Sequence, residues 1–158
     1  MKAKKITSTA LVAAIYLVMT LVFQSISYGP IQFRVAEVLN LLAFYNPAMA
    51  PGIVLGVFLS NLSSPLGAYD LVFGTFHTAI SLYGMTKSRS LYVASLWPTL
   101  FSFIIGFELT LAFGGGLVGF ASMTGSVMLS EFIICSLISI PLYRILEDRE
   151  IFQKLITR

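Results

Sequence analysis

The chain has 158 residues, of which 57% are hydrophobic and 11% are charged, with a net charge of +3. Soluble domains typically carry about 25% charged residues, so this composition excludes a soluble globular domain and indicates an integral membrane protein. The basic residues lie at the chain ends and in one short loop, a distribution typical of topology signals and not of nucleic-acid binding. We expect a single transmembrane substrate-binding domain over residues 1–158, with about six helical spans.

The first predicted span covers residues 6–26 and follows a cluster of lysines, Lys2, Lys4 and Lys5. By the positive-inside rule, this cluster places the N-terminus in the cytoplasm. Ala10 and Ala14 are four residues apart in the span. Small side chains at that spacing flatten one face of a helix and allow another helix to approach closely.

A polar segment, Tyr28 to Glu37, interrupts the apolar sequence on the predicted outer side. Arg34 and Glu37 are three residues apart, so they can pair on one face of a helix that begins near Phe33. Two interpretations remain open, a structural ion pair and a solute-binding site. The aromatic and amide side chains beside the charges, including Gln32, favour the binding site.

Spans two and three are predicted at residues 34–45 and 50–62, on either side of a turn at Asn46 and Pro47. The second span is short for a full crossing, which suggests a tilted helix sheltered by its neighbours. Gly52 and Gly56 give the third span a face suited to close helix packing.

A second polar loop, residues 61–70, precedes a fourth span at 71–85. Asp70 can cap that helix, contact a solute, or do both. We expect His77 to be a hydrogen-bonded packing residue, because no second histidine completes a metal site. Cys135 is the single cysteine, which excludes a disulfide and a cysteine-based metal cluster, and we expect it to be a small packing residue.

The last two spans are predicted at residues 91–109 and 120–146, joined by a flexible outer loop over 112–117. Lys87 precedes them in an inner loop, which agrees with four preceding crossings. Glu108 lies at the outer end of span five, and Glu131 is buried within span six. The charged tail from Glu147 onwards is expected inside, so both termini are cytoplasmic.

The predicted outer loops and helix ends bring together acids, amides and aromatic rings. The predicted solute-binding residues are Gln32, Phe33, Arg34, Glu37, Asn61, Tyr69, Asp70 and Glu108. Aromatic rings can stack on a planar heterocycle while carboxylates and amides bind its N–H edge. Because the acids outnumber the arginine, a cationic or donor-rich solute is preferred over an anionic one.

An enzyme is the alternative class. No GxxxxGK[ST] loop is present, so the chain is not expected to hydrolyse ATP. Intramembrane serine proteolysis needs a serine and a histidine within reach of each other. Ser126 and His77 are the candidates, and Ser126 lacks a recognisable nucleophile motif.

Three segments together resemble the QueT family of membrane proteins: Gln32 to Glu37, Gly56 to Asn61 and Asp70 to Thr75. The likeness covers nearly the whole chain in length and span order. The family is similar to the substrate-binding (S) components of energy-coupling factor (ECF) transporters, a class of ABC importers. The resemblance implies an all-α, six-helix S-component fold that binds a queuosine precursor, 7-aminomethyl-7-deazaguanine or a close 7-deazapurine, on the outer side.

The resemblance also implies partners. An S component in the plasma membrane captures its solute and docks on a membrane coupling (T) protein with two cytoplasmic ATPases, and it needs no cofactor or metal. The family's first helix carries an AxxxA docking pattern, which Ala10 and Ala14 match. Another vitamin or nucleobase remains the nearest alternative solute, and a small intramembrane enzyme the more distant alternative.

Overall fold

A computed structural model describes residues 2–28 and 32–156 as a helical bundle, and these ranges contain no β-strand. The α-helices are α1 (Lys2–Val22), α2 (Gln24–Ser27), α3 (Leu42–Tyr45), α4 (Ala50–Asn61), α5 (Thr75–Lys87), α6 (Leu91–Phe113), α7 (Gly116–Glu131), α8 (Ser139–Glu147) and α9 (Glu150–Ile156). Two 3-10 helices, Val35–Leu41 and Pro47–Met49, and two π-helices, Asp70–Gly74 and Phe132–Ile138, complete the bundle. The predicted all-helical class is confirmed.

The bundle has an apolar exterior and a partly polar interior. Large hydrophobic side chains are exposed along most helices, and Leu117 and Val118 are 83% and 81% exposed. Ionisable groups lie inside, and Arg34, Asp70 and Glu108 are at most 4% exposed. Soluble proteins rarely expose apolar surface on this scale or bury so many charged groups. The distribution is that of a membrane protein.

Two helical stretches are long and apolar enough to cross a bilayer, Leu91–Phe113 and Gly116–Glu147. In the second stretch α7, a π-helix and α8 follow one another without a break. The other apolar helical stretches among the described residues, Ile6–Val22, Val35–Tyr45 and Pro47–Asn61, are shorter. These lengths agree with a helical membrane bundle whose early helices are sheltered by their neighbours.

Close contact between α1 and α4 depends on glycine, as the sequence predicts. A Cβ atom on Gly52 would lie 2.5 Å from the backbone oxygen of Thr9, and one on Gly56 would lie 2.7 Å from Cβ of Tyr16. Because neither position has room for a side chain, α4 approaches the backbone of α1 directly. Ala10 and Ala14 of α1 are exposed, so they lie outside this interface.

Two sequence predictions about the helices need correction. Residues Val35–Leu41 form a 3-10 helix, and only Leu42–Tyr45 of the second span is α-helical. The prediction of a flexible loop at residues 112–117 is wrong, because α6 continues to Phe113 and α7 begins at Gly116. Gly114 and Gly115 have φ angles of +80° and +101°, which only glycine adopts readily, so two residues suffice for the reversal.

The charged tail contains a further short helix that is not among the sequence predictions. Residues Glu150–Ile156 form α9, whose Phe152 is buried against Tyr45 and Tyr143. The hydroxyl group of Tyr45 donates a 2.6 Å hydrogen bond to Glu147 Oε1. This aromatic cluster lies at the ends of α3 and α8, and it joins α9 to the bundle.

Candidate solute-binding site

The polar loops after α2 and α4 meet at one carboxylate, Asp70. Arg34 Nη2 donates to Asp70 Oδ1 at 2.8 Å, and Gln32 Nε2 lies 3.4 Å from the same oxygen. Ser64 donates its hydroxyl hydrogen to Asp70 Oδ2, and Asn61 Nδ2 donates to the Asp70 backbone oxygen at 2.7 Å. We call these five residues the Asp70 cluster. It joins the two loops and satisfies both oxygens of the carboxylate.

This geometry corrects two sequence predictions. Arg34 precedes the 3-10 helix, and its ion pair is with Asp70, so the predicted helical pairing with Glu37 is wrong. Asp70 does not cap the fourth span, because Tyr69 is the N-cap residue and no side chain caps that helix. A distant arginine competes for Asp70 more effectively than local backbone N–H groups, because a buried carboxylate needs a charged partner.

The backbone around the Asp70 cluster has little spare room. A Cβ atom on Gly74 would lie 2.9 Å from Asn61 Nδ2 and 3.4 Å from Arg34 Nη1. Gln32 adopts a φ angle of +47°, which is uncommon for a residue other than glycine. The close packing of Asn61 against Gly74 and the backbone conformation of Gln32 direct the side chains of Asn61 and Gln32 towards Asp70.

Glu108 of α6 lies beside this cluster and differs from it. Its side chain is fully buried, and it interacts electrostatically with Asp70 and Arg34. Neither Oε1 nor Oε2 accepts a hydrogen bond from an N–H or hydroxyl donor of the described residues, and the contact of this carboxyl group is with the neighbouring acid, Asp70. A buried carboxyl group without donors is costly, so Glu108 has unused capacity to bind N–H groups.

A second buried group of polar side chains lies between α1, the Val35–Leu41 helix and α7. Asn40 Nδ2 donates to Glu37 Oε2 at 3.0 Å, and Cys135 Sγ lies 3.5 Å from Glu131 Oε2. Glu37 and Glu131 are hydrogen-bonded to each other through their carboxyl groups, and both interact electrostatically with Tyr16. We call Tyr16, Glu37, Asn40, Glu131 and Cys135 the Glu131 cluster. Oxygen and sulfur atoms of Glu37, Glu131 and Cys135 lie within 4.8 Å of one another.

Arg34 connects the two clusters electrostatically. Its guanidinium group interacts with Asp70 and also with Glu37 and Tyr16, and its centre lies 5.5 Å from the ring centroid of Tyr28. Nε of Arg34 is buried without a hydrogen-bond partner among the described residues. Arg34 therefore positions Asp70 and offsets part of the acidic charge of the Glu131 cluster.

Most of the predicted solute-binding residues come together at these clusters. Gln32, Arg34, Asn61 and Asp70 contact one another, and Glu108 is beside them. Phe33 is half-buried, and Tyr69 is 42% exposed without a described contact to either cluster.

Sequence reasoning missed Tyr16, Asn40 and Ser64, and it left Glu131 without a role. Asn40 follows Glu37 by three residues, and this spacing is the signal that could have placed it beside that acid. Tyr16 offered no such signal, since a tyrosine inside a spanning helix is most simply a packing residue. Its position depends on the contact between α1 and the Glu131 cluster.

The residues considered for serine proteolysis do not form a catalytic pair. His77 Nε2 is 3.1 Å from the backbone oxygen of Pro98, which confirms its predicted role as a hydrogen-bonded packing residue. Ser126 is half-buried and donates to the Ser122 backbone oxygen at 3.1 Å. The two side chains therefore bond to different parts of the bundle.

Grooves on the outside of the bundle are a different kind of feature. One of about 570 Å³ lies between α4 and α5 and is lined mainly by apolar side chains, such as Val54, Phe58 and Leu82. It contains none of the residues of either cluster. We assign this groove to lipid contact, because its lining matches the apolar exterior of the bundle.

Comparison with known proteins is consistent with this architecture. Residues 6–148 match the family described as QueT transporter. The chain is 32% identical over 118 residues to the queuosine precursor transporter QueT of Lactococcus lactis subsp. cremoris strain MG1363, and the match covers 70% of this chain and 69% of the relative. No solved structure matches the chain.

An apolar-surfaced helical bundle with a buried polar site is typical of a helical membrane protein, and the matched family places it in the transport class. The chain belongs to the QueT transporter family. This assignment confirms the resemblance drawn from the three sequence segments, and a transporter family implies a role other than catalysis.

Proposed function

We propose that the chain is the solute-capturing subunit of an ECF-type importer and that its solute is a queuosine precursor, 7-aminomethyl-7-deazaguanine. The observation that carries this proposal is the buried carboxyl group of Glu108, which lies against Asp70 and has no N–H or hydroxyl donor among the described residues. The name of the Lactococcus relative supplies the solute class. A deazaguanine ring offers adjacent N–H donors to one carboxylate and a carbonyl oxygen to an amide or guanidinium group.

In this proposal each polar group has a separate task. Glu108 accepts hydrogen bonds from the N–H edge of the ring, and the amide groups of Asn61 and Gln32 form hydrogen bonds with the remaining polar edge. Arg34 positions Asp70, and Asp70 holds the two loops together. Phe33 and Tyr69 stack on the ring after the loops close over it.

The topology belongs to the same proposal. Six spans with both termini in the cytoplasm place the Asp70 cluster on the outer side of the plasma membrane. The basic residues at the start of α1 and Lys87 at the end of α5 support this orientation. The helical segment that begins at Asp70 continues into α5 and reaches Lys87 at its other end.

Calorimetric titration of the purified, detergent-solubilised protein tests the solute. We expect tight, saturable binding of 7-aminomethyl-7-deazaguanine and no binding of riboflavin, with guanine much weaker. Folded protein that binds none of the three compounds would contradict the assignment of the solute and direct the search to other vitamins.

The energising partners are tested separately. We propose that the exposed Ala10 and Ala14 form the surface that docks on a membrane coupling protein, with ATP hydrolysed by two cytoplasmic ATPases. Replacing both alanines by leucine would fill the flat helix face. We expect the double variant to keep its solute affinity and to lose co-purification with the coupling protein and uptake in cells. Unchanged uptake would exclude this face.

A further inference from the structure

The interior of the bundle has more acid than base. The buried carboxyl groups are those of four residues, Glu37, Asp70, Glu108 and Glu131. Among the residues whose burial is described, Arg34 is the only arginine or lysine that is buried. Its hydrogen bond is with Asp70. The Glu131 cluster therefore holds two acids without a bonded cation.

Two fully buried polar atoms in this cluster also lack partners. Asn40 Oδ1 accepts no hydrogen bond, and Tyr16 Oη makes none with any described residue. Tyr16 interacts electrostatically with Glu37, Glu131 and Cys135, so its hydroxyl group faces the cluster. Leaving such groups unsatisfied costs about 1–3 kcal/mol each, and a ligand rich in donors would remove that cost.

The chemistry of the cluster favours an ammonium group over a metal ion. Cys135 Sγ is at hydrogen-bonding distance from Glu131 Oε2 and lies 3.7 Å from the Glu37 backbone oxygen, so the sulfur atom faces acceptors, as a protonated thiol does. A metal-binding cysteine is a thiolate, which would add a third negative charge. A primary ammonium has three donors, and the carboxyl groups of Glu37 and Glu131 together with Asn40 Oδ1 supply three acceptors.

We propose that the Glu131 cluster is a subsite for a primary ammonium group of the solute. This inference rests on the proposed function, because it requires that the solute occupies the space next to the Asp70 cluster. Glu108 then binds the planar N–H edge, Glu37 and Glu131 bind the ammonium group, and Arg34 separates the two acidic regions. The subsite distinguishes an aminomethyl-bearing ring from the same ring without that substituent.

The test is a ratio of two affinities measured by calorimetry, that for 7-aminomethyl-7-deazaguanine and that for 7-deazaguanine, which lacks the ammonium group. We expect the wild-type protein to prefer the aminomethyl compound about 10-fold to 100-fold, the range of charge-assisted hydrogen bonds. Glu131→Gln should reduce this preference at least about 10-fold while the affinity for 7-deazaguanine is unchanged.

Two control variants separate the subsite from a general loss of binding. Glu108→Gln should weaken both compounds equally and preserve the ratio. Glu150→Gln changes an exposed acid on α9 and should alter neither affinity. Tyr16→Phe is the milder variant of the cluster, for use if Glu131→Gln does not fold, and it should lower the preference several-fold.

The outcomes distinguish the two proposals. Wild-type protein that binds neither compound would overturn the proposed function, and the subsite with it. Wild-type protein that binds both equally, or a preference that survives both Glu131→Gln and Tyr16→Phe, would overturn the subsite alone. A stoichiometric metal ion in the purified protein, removed by Glu131→Gln, would also overturn the ammonium assignment.

Discussion

The Asp70 and Glu131 clusters are both buried groups of acids in one membrane bundle, yet their hydrogen bonding differs. Asp70 has an arginine partner at 2.8 Å, a serine hydroxyl and an amide near its two oxygens. In the Glu131 cluster an amide and a thiol contact the acids, and Asn40 Oδ1 and Tyr16 Oη have no partner among the residues that the structure describes.

This difference separates structural from ligand-binding acids. A carboxylate whose bonds are all satisfied within the chain stabilises the fold and has little left for a solute. An acid beside unpartnered polar atoms destabilises the empty protein and gains most when a ligand arrives. Glu108, although it lies next to Asp70, belongs with the second kind because neither of its oxygens has an N–H or hydroxyl donor among the described residues.

The largest effect is expected from breaking the satisfied cluster. Asp70→Ala leaves Arg34 as an uncompensated buried cation, and removal of one partner of a buried ion pair costs about 3–5 kcal/mol. We expect the free energy of unfolding in detergent to fall by that amount, with a corresponding loss of thermal stability. Asp148→Ala, at an exposed acid, is the control. Equal stability of the two variants would show that Asp70 does not hold the loops together.

Glu108→Gln tests whether the neighbouring acid contributes to solute binding and not to stability. The variant removes a carboxylate that no described residue satisfies, so stability should be unchanged or higher. Solute affinity should fall by about 1.5–3 kcal/mol, the scale of a lost charged hydrogen bond. Calorimetry and thermal unfolding of the same sample measure both quantities. A loss of stability with unchanged affinity would make Glu108 a structural acid like Asp70.

A pair of glycines, one packed and one open, tests the packing that supports the Glu131 cluster. Gly56→Ala would place a Cβ atom 2.7 Å from Cβ of Tyr16 and 2.9 Å from the Ala13 backbone oxygen, which displaces α1 and the Glu131 cluster. We expect a loss of about 1–3 kcal/mol of stability, as for other overpacked cores. Gly125→Ala, where the added Cβ meets open space, should cost little. Similar stability for both variants would show that α1 shifts freely.

The sequence predicted the class, the family and the helical order because hydropathy, charge position and the Gln32 to Glu37 segment are local signals. It also predicted the Gly52 and Gly56 contact with another helix. It could not choose the partner of Arg34, because the local candidate, Glu37, lies three residues away and the actual partner lies 36 residues away. Likewise, three adjacent glycines indicated a loose loop, although their positive φ angles allow a tight turn between α6 and α7.

The smallest effect is expected from a comparison of two buried tyrosines. The hydroxyl group of one has a hydrogen-bond partner, and that of the other has none among the described residues. Tyr28 donates its hydroxyl hydrogen to the Ser60 backbone oxygen at 2.6 Å, whereas Tyr16 Oη has no partner among the described residues. Tyr28→Phe should therefore lower the free energy of unfolding by about 1 kcal/mol, the net value of one hydrogen bond. Tyr16→Phe should leave it unchanged or raise it slightly, because the variant removes an unsatisfied buried group. If chemical unfolding of the solute-free protein gives equal losses for both variants, Tyr16 has a structural partner and the Glu131 cluster is as complete as the Asp70 cluster.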